Sequence, residues 1–374
     1  MTTDSVQTRP RVRLAFIDNL RVALTVLVVA HHAALPYGNL GLWPNWEQPP
    51  TVASALALDV FVLLNQTFFM GFFFLLAGLF VPGSADRRGA GGFARERLRR
   101  LGIPFLVALV VVRPLYSLPT YLGRPPAERV PYWEHFLTSW DIGPLWFLEV
   151  LLALSLGYAL LRRWRPSPAD ATPTPLRAHQ VALFAIGLGL VSYVWRMIVP
   201  IGTMAWGLPT PAYLPQYVAL FVVGVLTYRR GWLTALPHRA GTLSACLVIA
   251  SLLPMVLLGG LESLDPGLGL HRASLYHLGF ALWDAMFATG VILALVVAFR
   301  RHATGDGPGG QFLARNAFAV YLIHAPVVVG VVALMGPLAL PPLAKFAVAL
   351  FLTLLISWAL AALIRRQPRI GSMI

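Results

Sequence analysis

Apolar runs of about twenty residues, divided by short polar stretches, recur along the whole chain. At 1.5 Å per residue such a run matches the ~30 Å hydrocarbon layer of a bilayer. The pattern predicts ten spanning helices, over 15–38, 58–82, 102–121, 143–161, 179–199, 213–228, 240–260, 274–299, 315–335 and 341–364. The longest polar stretches are 83–101, rich in Gly and Arg, then 122–142, with Glu128, Glu134 and Asp141, then 162–178. They leave no room for a soluble domain of useful size. Residues 1–374 therefore read as one all-α polytopic membrane domain, with 1–14 as an N-terminal segment and 365–374 as a tail.

Composition agrees: 57% of residues are hydrophobic, 12% are charged, and the mean hydropathy is +0.70. The net charge of +14 would suggest nucleic acid in a soluble chain, but here the positions of the charges decide. Of 29 Lys and Arg residues, 22 fall on one side of the ten-span reading, three (Arg124, Arg129 and Arg272) on the other, and four within spans. By the positive-inside rule the 22 are cytoplasmic, and so are both termini. This distribution makes the lipid bilayer the partner and excludes nucleic acid. The first apolar run is too long for a cleavable signal and carries Arg21, so it is expected to stay as a helix. Trp43, Trp46, Trp133, Trp140 and Trp206 fall in outward-facing stretches and suit an interfacial aromatic belt. The lone Cys246 lies within a span and reads as core filler.

Ionisable groups inside a span are expensive and usually face a cavity or a partner. Arg21 and His32 lie eleven positions apart in the first span, about three turns, so they share a face roughly 16 Å apart along the axis. Asp18 precedes Arg21 by three and can pair with it. Further polar residues in spans are Asp59, Asn65, Gln66, Glu149, Arg196, His277, Asp284, Asn316, Tyr321, His324 and Lys345. They are too many to act only as contacts between helices, and they imply a hydrated or substrate-lined cavity. His277 and Asp284, seven apart, share a face and read as a structural pair or as gap fillers. His31 and His32 leave the helix about 100° apart, and no ligand spacing supports a metal. No P-loop and no GxSxG turn occurs either. A histidine acting as general base or as a transient acyl carrier is the remaining chemistry. In 93–104 the arginines Arg95, Arg97, Arg99 and Arg100 offer guanidinium groups suited to phosphates, or simply to anionic lipid.

Several of these runs resemble the acyltransferase 3 family of bacterial integral membrane proteins, and most of all its branch with the glucan biosynthesis protein C succinyltransferases. Arg21 followed by ten residues and His32 is similar to the family's arginine-to-histidine signature, which favours His32 over His31. The run 72–80, the pair Arg99-Arg100 before Pro104, the run Pro144 to Glu149 and the run Tyr321 to Pro326 resemble further family motifs. Ala77 departs from the usual serine, and the extra His31 leaves two candidate rings.

The resemblance implies a stand-alone acyltransferase domain in the bacterial inner membrane. It would move an acetyl or succinyl group from cytoplasmic acyl-CoA to a hydroxyl of an extracytoplasmic carbohydrate or similar acceptor. Acyl-CoA would be the donor substrate, with no cofactor held permanently. His32, Arg21 and Glu149 would carry the catalysis. Arg97, Arg100, Tyr321, His324 and His31 would contact substrate. A transporter or flippase for a polar or lipid-linked substrate would also suit ten spans with buried charges. The order of the motifs favours the transferase.

Overall fold

The computed structural model describes residues 15–139, 142–165, 174–205, 207–233, 236, 239–264 and 274–371. The N-terminal segment 1–14, Trp140, Asp141, Trp206 and Arg272 lie outside them. Among the described residues the regular structure is helical, apart from one bridge between Ala205 and Leu208. In chain order the helices are α1 (Ala15–Ala34), α2 (Val52–Arg97), α3 (Ile103–Leu122), α4 (Tyr132–Thr138), α5 (Trp146–Trp164) and α6 (Ala178–Ile198). They continue with α7 (Leu214–Arg229), α8 (Ala240–Leu264), α9 (Leu275–His302), α10 (Pro308–Met335) and α11 (Pro342–Arg365).

Each of the ten apolar segments falls on a helix. Among the described residues eight helical stretches are long and apolar enough to cross a membrane; Val52–Leu122, one of the eight, contains two of the predicted segments. Local chemistry sets the helix starts. Thr51 caps α2 by accepting the Ser54 amide at 3.1 Å. Ser274 caps α9, and proline occupies the first turns of α10 and α11, where its missing N–H is harmless.

The connection expected over 83–101 is not a loop. α2 continues through it to Arg97, bending at Gly89, whose φ of 68° a side chain would resist. A π-helical turn over Leu98–Gly102 then leads into α3. Gly- and Arg-rich composition marked 83–101 as a polar connection, but Phe93 and Leu101 are buried and hold the segment against the bundle.

α1 lies in the middle of the bundle, packed against α2, α9, α10 and α11. α2 lies closely against α7, because a Cβ at Gly78 would sit 2.1 Å from the Phe221 carbonyl oxygen. Gly224 makes the reciprocal approach, 2.1 Å from the carbonyl oxygen of Leu75. Without a hydrophobic force between helices in lipid, such backbone proximity supplies the van der Waals contact that holds spans together. Leu106, Val110, Leu183, Ile249 and Leu360 point outward and are exposed, as a surface solvated by lipid requires. Cys246 is exposed as well, on α8, and does not fill the core as its position suggested.

Candidate functional site

The last turn of α1 carries His31 and His32, and the loop after it folds back over them. Asp59 of α2 fixes that loop: its carboxylate accepts the Asn39 amide at 2.8 Å and also the Asn39 side chain. The loop then places the Trp43 ring 5.3 Å from His32 and 5.4 Å from Tyr116 of α3.

On α10, His324 reaches the same point. It is fully buried, and its ring centroid is 4.9 Å from that of His32. The hydrogen bonds fix where the protons sit when both rings are neutral. His324 Nδ1 lies 2.7 Å from the Tyr321 carbonyl, which can only accept, so Nδ1 carries the proton and Nε2 the lone pair. His32 Nδ1 lies 2.9 Å from the Val28 carbonyl and 3.2 Å from His324 Nε2, both acceptors. It therefore donates to both, and the lone pair of His32 is on Nε2. Pro326 removes a backbone donor from the same stretch of α10. The Tyr321 hydroxyl donates to the Pro144 carbonyl, which ties α10 to the start of α5.

His31 has different surroundings. Its ring stacks on Phe69 at 4.8 Å, and its buried Nδ1 has no hydrogen-bond partner. Only His32 is half-exposed; His31 and His324 are buried. Glu149 stands two residues beyond Phe147, whose ring touches Tyr321 at 5.6 Å, yet Glu149 itself makes no hydrogen bond or ion pair among the described residues.

Arg21, at the other end of α1, lies 3.6 Å from Asp18, as the spacing suggested. Neighbouring Asn19 donates to the carbonyls of Ala303 at 2.8 Å and Gly305 at 2.9 Å, fixing this end of α1 to the turn between α9 and α10. Two carboxylates at this end, Asp86 and Glu96, each hold two arginines. Asp86 accepts Arg229 at 2.7 and 2.8 Å and Arg162 at 3.4 Å. Glu96 pairs with Arg88 at 2.6 Å and with Arg100 at 3.2 Å. Arg97 differs: its guanidinium lies 4.9 Å over the Phe93 ring, and its buried Nε has no acceptor. The two arginines expected to hold phosphate are thus unequal, Arg97 with a free donor and Arg100 already paired.

Two expectations from spacing are corrected. Asp284 does not pair with His277: it binds Arg196 of α6 at 2.5 Å, while His277 Nδ1 lies 2.9 Å from the Ser274 hydroxyl. A shared helix face allows a pair, but a guanidinium from another helix is the stronger partner for a buried carboxylate. Trp43 is not an interfacial anchor; it is 5% exposed and packs on His32, whereas Trp46 and Trp133 are exposed. Tyr116 was missing from the sequence reading, and Trp43 and Asp59 were in it only as a belt residue and as a polar group within a span. Gly41, at φ 64°, supplies the left-handed turn in the loop after α1.

Residues 14–362, nearly the whole chain, match the family model described as an acyltransferase domain. Glucans biosynthesis protein C from Escherichia coli O157:H7 (strain EC4115 / EHEC) is 28% identical over 268 residues, covering 65% of this chain and 66% of that protein. The proteins of the same name from Escherichia coli O81 (strain ED1a) and Escherichia coli (strain SE11) match to the same extent. The chain thus spans just under two thirds of the length of these relatives. No solved structure matches it significantly.

Proposed function

Because the chain belongs to the acyltransferase 3 family, we propose that it is a multi-pass inner-membrane O-acyltransferase. It takes an acyl group, acetyl or succinyl, from cytoplasmic acyl-CoA and passes it to a hydroxyl of an extracytoplasmic carbohydrate or similar acceptor. The observation that carries this reading is the free Nε2 of His32, whose Nδ1 proton is held by Val28 and His324.

A hydroxyl near that nitrogen loses its proton to Nε2 as its oxygen attacks the thioester carbonyl carbon. The C–O bond forms, the C–S bond breaks, and CoA leaves as a thiolate that takes the proton back from the His32 imidazolium. During the step Nδ1–H keeps donating to the Val28 carbonyl and to His324, so the charge forms where acceptors already wait. His324 acts through His32 and is a positioning residue, while Tyr321 holds its turn of α10 against α5.

At the arginine-rich end, taken as cytoplasmic, Arg97 offers a guanidinium donor without an acceptor for CoA phosphates, while the charge of Arg100 is offset by Glu96, which holds its Nε. Arg21, held by Asp18, lies on the α1 face between that end and His32 and orients charged groups along it. Glu149 is the remaining candidate, with a buried Oε2 that lacks a donor.

The test is acyl transfer itself. Purified protein in vesicles, supplied with radiolabelled acetyl-CoA or succinyl-CoA and a panel of glucans and glycolipids, is expected to release CoA and label a hydroxyl acceptor. Release of CoA from neither donor with any acceptor would contradict the proposal.

A further inference from the structure

A cavity of about 750 Å³ opens between the ends of α3 and α10 on the His32 side of the bundle. Its wall is mostly apolar. Leu115, Leu118 and Leu122 line it from α3, and all three are also exposed on the outside of the bundle, so the opening faces the hydrocarbon layer as well as the loops. Gly330 lines it from α10, with no atom within 4 Å of where its Cβ would be. The polar part is the loop after α1. Asn45 and Glu47 both line the cavity, and each leaves one buried oxygen, Oδ1 and Oε1, without a donor. Their other polar atoms are used: Asn45 Nδ2 donates to Val329, and Glu47 Oε2 accepts Lys345 at 2.5 Å.

Trp43, of the same loop, connects the cavity wall to the histidines through packing. Its ring packs on His32 and on Tyr116, and it shares a packed cluster with the cavity-lining Val329 and Val332. An apolar groove beside the bilayer, two acceptor oxygens lacking donors, and a loop whose Trp43 packs on His32 together describe the occupant. We propose that the cavity binds an amphiphilic acceptor, a hydroxyl-bearing head group on an apolar chain. The chain lies between α3 and α10, the head-group hydroxyls donate to Asn45 and Glu47, and one hydroxyl is presented to His32 beside Trp43. The inference rests on the transferase reading and narrows its acceptor to a membrane-borne one.

Binding can be measured without turnover. The full-length protein in phosphatidylglycerol nanodiscs is irradiated with a dodecyl glucoside carrying a diazirine on its chain, and the labelled peptides are mapped. Labelling is expected to concentrate on 115–123 and 326–336, to be competed by plain dodecyl glucoside, and to resist methyl glucoside. Gly330→Phe fills the open space and is expected to lower it by about tenfold. Gly187→Phe on α6, where a Cβ also meets nothing within 4 Å, is expected to leave it unchanged. Labelling that Gly330→Phe does not reduce would overturn the proposal. Equal competition by methyl glucoside, pointing to a soluble glycan, would do the same, as would equal labelling by a sugar-free dodecyl diazirine, pointing to a lipid-chain groove only. Failure of acyl transfer with this labelling pattern intact would count against the transferase reading alone.

Discussion

Two histidines adjacent in sequence end in different surroundings, because consecutive side chains leave a helix about 100° apart. His31 is stacked on Phe69, while His32 meets His324, Val28 and Trp43. His324→Ala removes the acceptor that helps hold the His32 ring, and is expected to lower kcat by about 100-fold, the loss typical of a misplaced catalytic group, with little change in KM for acyl-CoA. At the arginine-rich end, where α2 stops, Arg97→Ala is expected to raise the KM for acyl-CoA by about tenfold or more, the equivalent of one charge-assisted hydrogen bond. Arg100→Ala should change it far less, because Arg100 is already held by Glu96; steady-state kinetics with varied acyl-CoA would show the order. Arg21 and His32 were legible in the sequence because a charge or an imidazole in an apolar run needs a reason. The contact between His32 and His324 was not, since 292 residues separate them and periodicity relates only positions on one helix. The same limit explains why Asp284 was given the partner on its own helix in place of Arg196.

The helices were legible almost entirely, because runs of about twenty apolar residues allow little else in a membrane. The exceptions are segments whose packing overrides composition. Phe93 draws the Gly- and Arg-rich stretch onto the bundle as helix, and Asp59 draws the α1–α2 loop back over the site through Asn39. Between elements, α2 and α7 approach closely at Gly78 and Gly224. Gly78→Ala would place a methyl group against the Phe221 carbonyl and is expected to destabilise the protein by about 1–3 kcal/mol, visible as a lower thermal midpoint in detergent. Gly187→Ala, in open space on α6, should leave the midpoint unchanged or slightly raised, since alanine favours a helix.

For the whole molecule the account requires sidedness, with the arginine-rich end in the cytoplasm and the loop carrying Trp43, Asn45 and Glu47 outside. With the exposed Cys246 first replaced by serine, a membrane-impermeant thiol reagent added to intact cells should label Leu42→Cys and not Gly91→Cys. The reverse pattern would overturn the orientation and, with it, the assignment of donor and acceptor ends. The central claim is that His32, and not its neighbour, takes the proton of the acceptor. It is tested most directly by measuring transfer of label from acyl-CoA to acceptor by wild-type protein, His32→Ala and His31→Ala, all reconstituted at equal folded amounts. The account predicts that His32→Ala loses at least about 100-fold in rate while His31→Ala keeps most of it. Equal losses in the two variants, or transfer that persists without His32, would contradict it.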